Sequence, residues 1–208
     1  SDNGSIGSAA TAAGRLTTNA ATLSANAFGT AGSVFINDTN AGVVTVNASS
    51  ANATGGTFNL LVNGDINTNA SGTISGDFVV LTSTTGGFDL DDVVTGTTSV
   101  SLTANDSILN SAIPGITTQS LSLTSTAGSI GTSALSRFTT NVANLSANAT
   151  VGGVFINNTA IGGVTINAAS GAGTTFDLLA TNSISNTLAG TITAPVVILE
   201  SGTGGFSL

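Results

Sequence analysis

The sequence predicts an all-β solenoid, a coil of about 21 residues per turn with a triangular cross-section, and three observations carry that expectation. Leu60, Leu81, Leu102 and Leu123, and again Leu178 and Leu199, are spaced by 21 residues. Two residues before each leucine stands Phe58, Val79, Val100, Leu121, Phe176 or Val197, the period-two alternation of a strand with one buried face. Two more apolar anchors recur in the same units: Ile66, Phe88, Ile108, Ile130, Ile184 or Phe206, then Ile74, Val94, Ile116, Phe138 or Ile192. Three short strands per unit bury their apolar sides only by stacking on the neighbouring units. With one turn per strand spacing of ~4.8 Å, about ten turns make a single rod roughly 50 Å long.

From the amino terminus the elements follow in order. Ile6 and the Leu16-Thr17-Thr18-Asn19 stretch open a first copy of a longer duplication, residues 4–121, which recurs at 128–208 with the second copy incomplete. Residues Leu23–Phe58 and their counterparts Leu145–Phe176 leave the 21-residue register. Their bursts Val34-Phe35-Ile36, Val44-Thr45-Val46, Val154-Phe155-Ile156 and Val164-Thr165-Ile166 come about ten apart. Each copy therefore holds either one turn of unusual length or one short hairpin leaving the coil. Thr57–Leu90 then aligns without a gap to Thr175–Leu208, at an offset of 118 with 16 of 34 positions identical. Upstream the offset drifts, from Thr45 and Thr165 at 120 to Leu16 and Phe138 at 122 and Ile6 and Ile130 at 124. A solenoid absorbs such insertions at its corners. Arg15 and Arg137 fall on equivalent positions.

Helix is not expected, because β-branched residues, Gly, Ser, Thr and Asn dominate. Pro114 and Pro195 are read at corners or strand entries, where a missing donor does little harm. Asn63-Gly64, Gly86-Gly87 and Gly152-Gly153 are read as sharp corners supplying positive φ, and Phe58, Phe78, Phe88, Phe176 and Phe206 as interior. Inward asparagines are expected to stack into hydrogen-bonded ladders at the corners.

Composition narrows the function classes. The 208 residues carry a net charge of −8, with Arg15 and Arg137 as the only cations, which argues against nucleic acid and anionic membranes as partners. No apolar run approaches the ~20 residues that span a bilayer, so membrane insertion is not expected. Apolar content of 40% in short bursts points to packed strands rather than disorder. The chain opens and closes inside the repeat and reads as an excerpt. No histidine, cysteine, lysine or tyrosine is present and Glu200 is the single glutamate, which removes most nucleophile and base pairs and zinc sites.

Asp89, Asp91 and Asp92 form the only local carboxylate cluster. Alternation places Asp89 and Asp91 on one face with Asp92 at the corner. Such a group reads as solvated surface charge, as a calcium site, or as an acid and base pair acting on polysaccharide. No other cofactor is indicated. Thr82, Thr84, Thr103 and Thr124 raise ice binding, but they do not build an unbroken Thr-x-Thr column. Nine Asn-x-Ser/Thr sequons, among them Asn37, Asn47, Asn52, Asn69, Asn105, Asn148 and Asn157, are what a chain so rich in these residues produces by chance.

Units such as Ser120-Leu-Ser-Leu-Thr-Ser-Thr-Ala-Gly-Ser-Ile-Gly-Thr and Gly190-Thr-Ile-Thr-Ala-Pro-Val-Val-Ile-Leu resemble the repeats of filamentous haemagglutinin-like exoproteins of the two-partner secretion type. The resemblance covers nearly the whole chain and is poorest in the middle segment of each copy. It implies a right-handed parallel β-helix, secreted to the cell surface through an outer-membrane pore partner, with a role in adhesion, aggregation or biofilm. The expected function is then a non-catalytic shaft that projects or spaces functional ends toward a host or neighbouring-cell surface. A self-assembling extracellular fibre, with copies joined end to end, is the second expectation, and a polysaccharide-active β-helix enzyme the third.

Overall fold

The computed structural model describes residues 1, 4–110, 115–168 and 170–208; Pro114 lies outside them. The described residues form strands, bends and turns with no helix, and the strands pair in parallel as a β-solenoid of about nine turns. Longer turns account for the shortfall from ten: Ile36 to Leu60 and Ile116 to Thr140 each take 24 residues, where Leu16 to Ile36 takes 20.

The leucine register is a physical column. Leu60, Leu81, Leu102 and Leu123 lie over one another in successive turns, as do Leu178 and Leu199. Ile66, Phe88, Ile108 and Ile130 make a second column, and Ile74, Val94 and Ile116 a third. The inward members are buried apart from those of the last turn, and a fully buried Leu, Ile or Phe contributes about 1.5–3 kcal/mol. Phe138 does not continue the third column. Thr140 stands over Ile116 there, and Phe138 pairs with Ile156.

The irregular segments stay inside the coil. Val34–Asp38 pairs in parallel with Leu16–Thr18 on one side and Thr57–Val62 on the other, and Val44–Val46 sits between Thr22–Leu23 and Ile66–Thr68. The hairpin alternative is thereby overturned: these are two sides of one long turn, whose extra residues lie at the corners.

Two local expectations are corrected. Phe78 precedes the inward Val79, so period two turns it outward, and it is 37% exposed. Phe206 continues an inward column over Ile184 on the last turn and is 54% exposed. The three glycine pairs do not adopt positive φ, which among the described glycines belongs to Gly7, Gly55, Gly131 and Gly163. Gly64, Gly86 and Gly152 are glycine because a Cβ would collide with the turn below, at Gly42 O, Asp65 Oδ1 and Ser129 Oγ. Gly7 and Gly131 need both properties, since a Cβ at either would lie 2.5 Å from the carbonyl oxygen of Phe35 or Phe155.

The duplication is not a translation along the axis. The column of Val62 runs through Ser83, Ala104, Ser125 and Ala149 to Ala172. Ala180, the equivalent of Val62 at offset 118, lies eight residues further on, in the column of Ile74, Val94, Ile116, Thr140 and Asn158. The second copy is thus turned about the axis relative to the first. The frame changes over Phe138–Ala149, which pairs as one straight strand with Ile116–Ser125 below. Above, it carries three separate strands, Val154–Asn158, Val164–Ile166 and Ser170–Ala172.

Candidate functional site

Asp89 occupies the outward position of the short Phe88–Leu90 strand, between Asn67 on one turn and Leu109 on the next. The strand ends at Leu90, and Asp91 and Asp92 follow in a bend. Asp92 is at the corner, as alternation implied. Its N–H donates to Thr68 Oγ1 at 3.0 Å, and its Oδ1 accepts the Val93 N–H at 2.6 Å. Partial burial and the charge of Asp91 push the Asp89 carboxyl above the usual aspartate range.

Asp89 also borders an open concavity of about 370 Å³ with Asp65, Asn67, Asp106 and Leu109. The two other carboxylates there stabilise corners. Asp65 Oδ1 accepts the Gly87 N–H at 2.8 Å, and Asp106 Oδ1 accepts the Ser107 N–H at 2.7 Å. Among the described residues no three acidic side chains converge as metal ligands would.

The chain's two cations lie along the outer faces and cross turns. In each copy a loop, Gly7–Gly14 or Gly131–Ser136, leaves the coil over an outward phenylalanine, Phe35 or Phe155, and ends in arginine. The anchoring bonds are equivalent, from Phe35 N–H to Ile6 O and from Phe155 N–H to Ile130 O, both 2.7 Å. Arg137 donates from Nε and Nη2 to Asp177 at 2.8–3.1 Å, from Nη2 to Glu200 at 2.9 Å, and from Nη1 to Ala134 O at 2.8 Å. It therefore ties its own turn to strands two and three turns further along.

Arg15 makes the same reach to a different chemistry. Its Nη1 donates to Ile36 O and its Nη2 to Asn59 Oδ1, both at 2.8 Å, and its Nε to Ala10 O at 3.2 Å. No carboxylate pairs with it among the described residues, and burial lowers its pKa from the usual guanidinium value. The sequence matched the two arginines but not their partners. The available signal was Asp177 in Phe-Asp-Leu-Leu, facing Asn59 in Phe-Asn-Leu-Leu of the first copy.

Buried serines hold the corners, which the sequence reading missed. Ser83 Oγ donates to Gly64 O at 2.7 Å and accepts the Gly86 N–H at 3.0 Å, while Ser125 Oγ does the same with Asp106 O and Gly128. The recurring Leu-Thr-Ser-Thr-x-Gly string at Leu81 and Leu123 was the signal. Asparagine ladders are not the rule. Asn69 pairs with Asn47 on the outside, whereas the buried Asn158 has Thr140 and Ala180 as column neighbours. Thr82, Thr103 and Thr124 do form an outward column, but Leu61 and Asn148 bracket it. Two residues earlier stand Val80, Ser101 and Ser122, so no Thr-x-Thr array results. Comparison with family models, curated sequences and solved structures finds no significant match to this chain.

Proposed function

We propose that this chain is a non-catalytic shaft segment of a large secreted bacterial surface adhesin or exoprotein, whose work is to project and space what its ends carry. The observation that supports this reading most directly is where the polar chemistry goes. Asp38, Asp65 and Asp106 bind backbone N–H groups within or between turns, the buried serines bridge turns, and both guanidiniums are tied along the coil. A rod whose polar groups act on neighbouring turns is suited to carrying load and distance rather than to transforming a substrate. The resemblance to filamentous haemagglutinin-like repeats supports the same reading, and with it export through an outer-membrane pore and engagement of a host or neighbouring-cell surface.

Electron cryo-microscopy of the native material, at a resolution that separates strands, tests it. Covalent density continuing beyond Ser1 and Leu208 through further turns into a distinct end domain is the expected result. Density that breaks, with another copy docked on the open turn, would replace the shaft by a self-assembling fibre subunit.

A further inference from the structure

We infer that the fold locks the chain's two arginines against proteases that cut after basic residues, and that Arg137 is locked more tightly than Arg15. This goes beyond the shaft reading and does not depend on it. A protease of this class must draw the guanidinium into its own acidic pocket and take the flanking residues as an extended strand. The chain has no lysine, so Arg15-Leu16 and Arg137-Phe138 are its only bonds of that kind.

At Arg137 the side chain is 15% exposed and is held by two carboxylates and a carbonyl. The next residue, Phe138, is fully buried, and the Thr139 N–H donates to Asn110 Oδ1 at 3.2 Å. Cutting there requires the staple to open and the first residues of a core strand to leave the coil together. At Arg15 the acceptors are neutral and Leu16 is 49% exposed, so opening disrupts less. Cleavage of a folded chain follows the population of its locally opened form, so the two bonds should differ in rate by as much as their local openings differ.

The test is trypsin digestion of the folded chain followed by intact mass spectrometry, with synthetic peptides spanning each arginine as unstructured references. Cleavage after Arg137 should run at least roughly a hundredfold slower than in its peptide, and any native cut should come first after Arg15. Asp177→Asn should speed cleavage after Arg137 toward the Arg15 rate, read beside the far-ultraviolet β signal. Asn59→Asp, which removes no contact from the core, should slow cleavage after Arg15. A native rate at Arg137 within tenfold of the peptide, a first cut at Arg137, or no change at Arg15 in Asn59→Asp would overturn the inference.

Discussion

In the first copy of the duplication the inward carboxylate is Asp38, and Arg15 reaches the neutral amide of Asn59; in the second, Asn158 takes the inward place and Arg137 reaches Asp177 and Glu200. Acid and amide have changed places at two pairs of equivalent positions. Asp38 only accepts, from Thr18 Oγ1 at 2.6 Å and from the N–H groups of Ala20 and Asn40 as the chain turns its corner. Asn158 faces the straight strand through Val142, so it accepts the Val142 N–H at 3.0 Å and donates to the Val142 carbonyl at 3.1 Å. The coil asks for hydrogen-bond complementarity at these points, and whether the group is charged follows from which backbone groups the local path presents.

The sharpest way to break the equivalence is to delete each arginine. Arg137→Ala leaves Asp177, almost fully buried, without its cation, and should cost about 3–5 kcal/mol. Arg15→Ala strands only neutral acceptors and should cost about 1–3 kcal/mol. Denaturant midpoints of the two variants check this, and equal shifts would show that the carboxylates add nothing.

Exchanging the inward pair comes next. Asn158→Asp removes the donor to Val142 O and buries an uncompensated charge against that carbonyl, an expected loss of about 3 kcal/mol. Asp38→Asn should lose about 1 kcal/mol, because the Thr18 hydroxyl can turn and accept from the new amide. Thermal unfolding at neutral pH reads both, and the expected order is wild type, then Asp38→Asn, then Asn158→Asp.

Asn59→Asp sharpens the comparison by making the first copy resemble the second. Arg15 gains a carboxylate partner, with a stabilisation of up to about 1 kcal/mol that weakens in high salt. The smallest effect is expected at Asp89. Its folded pKa is raised, so its protonated form favours the fold, and stability is lost as pH rises through that value. Asp89→Asn should match the wild type in acid and exceed it at neutral pH by no more than about 0.5 kcal/mol after solvent screening. A difference that grows toward acid would reverse the sign.

Much of the fold was legible. The leucine, isoleucine and phenylalanine columns could be read because each inward residue must meet its like one turn away, which imprints one period on the sequence. Val34–Asp38 and Val44–Val46 were legible as strands but not as sides of a turn, since residues added at a corner shift the spacing without altering the stack. The rotation of the second copy had a signal in the offset of 118, which is no multiple of 21. Of the candidate site, the corner position of Asp92 and the pairing of Asp89 with Asp91 were legible from alternation and the strand end. The roles of Asp65, Asp106, Asp177 and Glu200 were not, because each depends on a residue one to three turns away.

The sequence by itself determined an all-β coil, its turn length, its inward columns and the poverty of its chemistry, all of which follow from local alternation and composition. Only the tertiary structure decided which corner each carboxylate closes, which outward strand each arginine crosses, and which way the second copy faces. Those depend on the exact number of residues at every preceding corner, and a rotation accumulates along the coil where a strand's own period two does not.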